Sequence, residues 1–202
     1  MIEKQLLDAG IKNIAGVDEA GRGPCAGPLV IAAVILKDPQ SRELHEIRES
    51  KELTPQKREA LFDVVIEQSL AHSIIEVSVD EIDTLGLHKC NIEGMRRAVN
   101  ALAVDAQYVL TDGYAIPGLL TPNLAVWKGD QVAISISAAS ILAKVYRDRI
   151  MIELDKKHPG YGFAAHKGYI TKSHTDAIKE LGVLEIHRKS FSNIAEIINS
   201  RT

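Results

Sequence analysis

The stretch Ile14-Ala15-Gly16-Val17-Asp18-Glu19-Ala20-Gly21-Arg22-Gly23-Pro24 decides the reading of this chain. Asn13 to Asp18 reads as a short strand that runs into a Gly/Pro-rich turn, and its apolar residues place it at the centre of a sheet. Asp18 and Glu19 end that strand. Ligand sites in open α/β sheets lie beyond the carboxyl ends of strands, so two acids there suggest a site rather than a solvated surface. Adjacent strand residues point to opposite faces. For both carboxylates to reach one site, the strand is expected to end or bulge between them.

The rest of the chain supplies a sheet for that strand. Leu29 to Leu36 is β-branched and almost wholly apolar, the pattern of a buried strand. Thr54-Pro55 starts a helix, with Thr as N-cap and Pro at the first position, running to about Leu70. Ser73 to Val79 alternates as a strand, and Leu87 to Ala103 has helical spacing through Ile92, Met95, Val99 and Leu102. Gln107 to Thr111 and Asn123 to Trp127 read as further strands. Ser135 to Lys157 turns helical and is stopped by His158-Pro159-Gly160. Short helices follow near Lys172–Leu181 and Phe191–Asn199. Strands come early and helices dominate late, which predicts an α/β layer fold with a mixed central sheet and a helical C-terminal part. Nothing marks a domain boundary in 202 residues, so residues 1–202 are expected to form one domain.

Two further acids stand at strand ends. Asp112 closes Gln107 to Thr111, and Asp130 follows the strand to Trp127, just after Lys128-Gly129. Asp before Gly is also a common turn residue, and Asp130 also reads as a helix-capping acid. Together the four form a His-free, Cys-free carboxylate set of the kind that suits Mg²⁺ or Mn²⁺. Gly21-Arg22-Gly23-Pro24 allows close backbone approach and offers an Arg fork to phosphate. It is not a dinucleotide fingerprint, because Pro24 and Pro28 obstruct a following helix and Gly27 stands one place too far. The region around His166-Lys167-Gly168-Tyr169, with Lys172, His174, His187, Arg188 and Lys189, interleaves cations with aromatics, as suits a nucleic-acid strand. The same segment also reads as a solvated polar loop with Phe163 tucked into the core; the lone Trp127 reads most simply as core, and Cys25 and Cys90 as small buried apolar residues.

Composition sets the outer limits. Hydrophobic residues are 46% and charged residues 25%, which excludes wholesale disorder. The longest apolar run, Pro28 to Leu36, is too short to cross a membrane. Two cysteines outside any CxxC pair argue against a disulfide scaffold and for a reducing, cytoplasmic setting. The net charge of −3 is split: residues 1–127 carry 12 basic and 19 acidic residues, while residues 128–202 carry 12 basic and 8 acidic. An acidic part joined to a basic part suggests a polyanion partner with metal between.

Several of these segments, in order, resemble ribonuclease HII. They are Gly16 to Pro24 with Ala26-Gly27-Pro28, Ser50-Lys51-Glu52-Leu53, Asp112-Gly113 and Lys128-Gly129-Asp130. Ala138 to Lys144, Arg147-Asp148-Arg149, His166-Lys167-Gly168-Tyr169 and His187 to Phe191 complete the set. The resemblance implies an RNase H-like fold and a metal-dependent endoribonuclease. Its substrates are expected to be RNA·DNA hybrids and duplex DNA with embedded ribonucleotides, cut on the 5′ side of the ribonucleotide. By position it implies that Asp18, Glu19, Asp112 and Asp130 hold two divalent cations, Mn²⁺ or Mg²⁺, during turnover. It also implies that Gly21, Arg22, Gly23 and Lys51 contact substrate and that Tyr169 packs on a deoxyribose. Glu49, Ile170 and Cys25 depart from the family pattern, and none touches the four acids. The expectation is two-metal hydrolysis by a monomer, leaving 3′-hydroxyl and 5′-phosphate ends. The rival readings are another two-metal nuclease acting on DNA junctions and a non-catalytic hybrid-binding module.

Overall fold

The computed structural model describes residues 2–44, 46–47 and 54–200. Glu49 and Lys51 lie outside the described residues. Five strands form one mixed sheet: β1 (Ile14–Ala20), β2 (Leu29–Leu36), β3 (Ser69–Val77), β4 (Tyr108–Asp112) and β5 (Asn123–Val126), in the order β3-β2-β1-β4-β5. The pairs β1–β2 and β2–β3 are antiparallel, whereas β1–β4 and β4–β5 are parallel. The helices are α1 (Ile2–Asp8), α2 (Pro55–Gln68), α3 (Val79–Leu85), α4 (Leu87–Asn100), α5 (Gly129–Val132), α6 (Ile134–Lys157), α7 (Phe163–His166), α8 (Lys172–Leu181) and α9 (Ser192–Asn199). The mixed sheet, flanking helices and helical C-terminal part are those expected from the sequence.

Helices cover both faces of the sheet, which is why β2 is apolar along its whole length. Ile31, Ile35 and Val17 pack with Met95 and Val99 of α4 on one face. Val30, Val34 and Leu36 pack with Ile141, Leu142 and Val145 of α6 on the other. Each such buried side chain contributes about 1.5–3 kcal/mol of hydrophobic stabilisation. Gly16 lets α6 approach closely: a Cβ there would lie 2.0 Å from the Ser135 carbonyl carbon. The first turn of α6 has no cap from its own N-cap residue Ala133. Glu3 of α1 supplies one instead, accepting from Ser135 N and Oγ at 3.1 Å each, with its negative charge at the positive helix end.

Several boundaries move. α2 ends at Gln68 and β3 begins at Ser69, so the third strand both starts and finishes earlier than its alternation suggests. Val79 opens α3 instead, because Ser78 and Glu81 form a capping box that turns the chain into a helix. Trp127 is not core. It is 83% exposed, because it stands past the end of edge strand β5, where no helix covers it. Cys25 and Cys90 are buried, as read from the sequence, and Phe163 is buried too, which decides between its two readings in favour of core. No helix among the described residues is long and apolar enough to cross a membrane.

Candidate active site

The parallel strands place the acids in a row. Val17 is level with Thr111 and Thr111 with Ala125, so the next level carries Asp18, Asp112 and Val126. Glu19 lies one step further along β1. Asp130 sits on α5, just beyond β5, and is 2% exposed. The turn leading to it is tied to the row, because Gly129 N donates to Asp112 Oδ1 at 2.8 Å.

The strand does not end or bulge between Asp18 and Glu19, contrary to expectation. Both pair in register with β2, Asp18 with Ala32 and Glu19 with Ile31. Their side chains therefore start on opposite faces. Asp18 lies on the α6 side, where Ser140 hydrogen-bonds to it, and its Oδ1 also accepts from Glu19 N at 2.8 Å. Glu19 lies on the α4 side beside Arg22 and Asn91. Both faces meet at the strand end, where Asp112 interacts with both carboxylates.

Burial raises the Asp18 carboxyl well above the ordinary range, and repulsion from Glu19 and Asp112 adds to the rise. Burial likewise raises Glu19; Arg22 opposes that rise, while Asp112 adds to it. Glu19 Oε2 is buried and makes no hydrogen bond of good geometry among the described residues; the Asn91 amide lies close enough to lower the Glu19 carboxyl slightly, yet its own atoms are not fully paired either. A same-sign oxygen cluster with an orphaned buried oxygen fits a hard divalent cation. The arrangement is open rather than closed: among the described residues no three acidic, histidine or cysteine side chains converge into a ready cation shell.

A cleft of about 370 Å³ opens beside Glu19 and is lined by Gly21, Arg22, Arg58, Lys144 and Tyr169 among others. Cations line a cleft whose end is acidic, an arrangement that suits a phosphodiester running toward the carboxylates. Arg22 folds back on Glu19, Nη1 to Oε1 at 3.4 Å, and donates from Nη2 to the Tyr114 hydroxyl at 2.9 Å. Its guanidinium lies 4.5 Å from the centre of the Tyr114 ring. Tyr169 is half exposed and packs over Gly23, where a Cβ would lie 3.1 Å from the ring. Gly21 has φ +103, and a Cβ there would meet Arg147 Nε at 2.2 Å, so no other residue fits without displacement. Asn91, Arg58 and Tyr114 escaped the sequence reading. Asn91 alone left a signal, as a polar residue within the buried stripe of α4.

The C-terminal cations do not all face substrate. Arg188, His174 and His187 are fully buried, which corrects their reading as strand-gripping residues. Arg147 donates to the carbonyls of Pro28, Ala26 and Lys167 at 2.9–3.0 Å. Arg188 donates to the carbonyls of Gly21, Arg22 and Gly27. The two guanidiniums thus pin the glycine-rich loop from beneath, and burial lowers each to about 10. The histidines form a directed chain. Leu184 N donates to His187 Nδ1 at 2.8 Å, leaving the His187 proton on Nε2, which donates to His174 Nε2 at 3.1 Å. His174 then donates from Nδ1 to the Tyr169 carbonyl at 3.0 Å.

Known proteins are similar to this chain in architecture and sequence. The family model for ribonuclease HII matches residues 15–194. The ribonuclease HII of Cutibacterium acnes is 52% identical over 192 residues, covering 95% of this chain and 94% of that protein. The crystal structure of ribonuclease H2 from Pyrococcus horikoshii superposes with a TM-score of 0.81 at 30% identity, covering 93% of this chain and 98% of that one. Bst-RNase HIII in complex with Mn²⁺ shares the fold at a TM-score of 0.70 and 18% identity, covering 93% of this chain and 70% of that one. With the motif order, the sheet and the sequence match all in agreement, the chain belongs to the ribonuclease HII family and is a ribonuclease H enzyme.

Proposed function

We propose that this ribonuclease holds two divalent cations, Mg²⁺ or Mn²⁺, with Asp18, Glu19, Asp112 and Asp130. We propose further that it cuts on the 5′ side of ribonucleotides in RNA·DNA hybrids and of single ribonucleotides in duplex DNA. Hydrolysis of RNA in hybrids is the activity that family membership supports. The observation that carries the metal role is the row itself: carboxylates of one sign gathered at one sheet edge, with Asp18 and Glu19 raised by burial and by the acids beside them. Bound there, the cations supply an activated water and offset charge on the leaving 3′-oxygen.

The chain's own residues do the rest. The Gly21–Gly23 backbone approaches the ribonucleotide where a side chain would block it, and the 2′-hydroxyl is the group that separates RNA from DNA. Arg22, on the cleft wall beside Glu19 and Tyr114, would offer its guanidinium to a phosphate. Tyr169, held over Gly23, packs on the sugar after the junction. Lys51, outside the described residues, is a further substrate contact in this reading. Residues 1–202 act as one catalytic domain. Every residue invoked comes from one chain, so the reading needs no second subunit, and the two buried unpaired cysteines suit a cytoplasmic setting.

The test is a DNA duplex with one embedded ribonucleotide, incubated with Mg²⁺ or Mn²⁺. A single cut on its 5′ side, with 3′-hydroxyl and 5′-phosphate ends, is expected. Equal cleavage of the all-DNA duplex or of a DNA junction would sink the substrate assignment. Binding without turnover, unaffected by chelator, would leave a binding module instead.

A further inference from the structure

Trp127 is the one tryptophan of the chain, and it is 83% exposed. Tryptophan is highly buried on average, and what singles this one out is its position. Its place is not arbitrary. Val126 stands level with Asp18 and Asp112 across the three parallel strands, so Trp127 follows the carboxylate row by one residue. Neighbouring strands lie about 4.8 Å apart, so Trp127 is only about 10 Å across the sheet from β1.

The turn that carries it is built onto the row. Gly113 N donates to the Val126 carbonyl at 3.0 Å, and Gly129 N donates to Asp112 Oδ1. Lys128 between them is held at φ 52, a left-handed conformation that a lysine adopts at a cost. A Cβ on Gly129 would meet Ile136 Cδ1 at 2.6 Å, which closes the turn against α6. Exposed Trp127 and exposed Lys128 are thus fixed on the β5 flank, while Tyr169 occupies the opposite flank over Gly23.

We infer that Trp127 is a second nucleic-acid contact of this enzyme. It packs its ring against the sugar and base edge of the duplex where that duplex passes the β5 flank, with Lys128 at a phosphate. The inference rests on the substrate reading above. A ring supplies apolar contact that tolerates any sequence, and the adjacent cation supplies charge complementarity to a backbone already drawn toward the row.

The chain's only tryptophan is its own probe. The Asp18→Asn variant, which should bind without turnover, is titrated with a short duplex carrying one ribonucleotide. Trp127 emission should fall about twofold, as expected for a base-stacked ring, and saturate with the same Kd as anisotropy of a labelled duplex. In the otherwise native enzyme, Trp127→Ala should raise KM about tenfold with kcat little changed, and Trp127→Phe should restore most of the loss. Saturable binding by anisotropy with unchanged emission, or a KM for Trp127→Ala within about twofold of the native value, would overturn the inference while the substrate reading stands. A native enzyme that neither binds nor cuts the duplex would overturn both.

Discussion

The carboxylate row and the arginine–histidine scaffold beneath the glycine-rich loop are both buried, and both hold groups pushed far from their ordinary protonation. They differ in what surrounds those groups. In the scaffold the guanidiniums of Arg147 and Arg188 reach backbone carbonyls, and His187 and His174 pass one proton direction along a chain to Tyr169. In the row, like charges face each other and a buried oxygen has no hydrogen bond. A perturbed group alone therefore does not mark a reactive site. Crowded carboxyls are the better pointer, because they must either hold protons or take a cation.

Asp18→Asn is expected to have the largest effect. Hydrolysis should fall at least about a thousandfold, or ~4 kcal/mol, as for loss of a group that stabilises transition-state charge. The metal-free melting temperature should not fall, because the change removes one of several buried like charges. Single-turnover cleavage beside a thermal melt checks both; a marked drop in melting temperature would move Asp18 into the scaffold.

Arg188→Met tests the other region. It leaves the carbonyls of Gly21, Arg22 and Gly27 without their buried donor. The expected loss is about 3 kcal/mol, the scale of hydrogen bonds to a charged group, and about 6–12 °C in melting temperature for a chain of this size. An unchanged melt would show that the loop holds itself.

The smallest effect is in pH, where the two regions pull in opposite directions. His187 is lowered from 6.5 to about 4 by burial and by His174. The unfolded chain takes up its proton first, so this stability is complete above pH 6.5 and is lost as pH falls toward 4. Asp18 is raised, so its contribution is present at low pH and lost as pH rises through its folded value. Urea midpoints from pH 4 to 7 should therefore rise less steeply for His187→Gln, and more steeply for Asp18→Asn, than for the native protein. Parallel curves for all three would refute the assignment.

Much of the fold was legible because periodicity reports burial. Leu29 to Leu36 announced a strand covered on both faces, and the four acids announced themselves by standing after strand-like runs. The failures share one cause: a residue type does not say what lies opposite. Trp127 looked like core because tryptophan usually is, yet it stands past an edge strand. His174, His187 and Arg188 looked like a surface for phosphate, yet they lie beneath the loop they support. Arg58 approaches the site from α2, a helix whose sequence carries no mark of it, and Asn91 from α4, where a polar residue in an apolar stripe is the one sign.

By itself the sequence determined which elements form, because the spacing of apolar side chains and the caps are local properties of the chain. It also determined the chemistry of the acids, since their type and order survive any arrangement. Tertiary structure alone decided which acids share a neighbourhood. Parallel pairing of β1 with β4 and of β4 with β5 set Asp18 and Asp112 at one level, 94 residues apart in sequence. The helices on the two faces then sent Asp18 toward Ser140 and Glu19 toward Arg22. Strand register and face are fixed by long-range packing, which no local stretch of sequence contains.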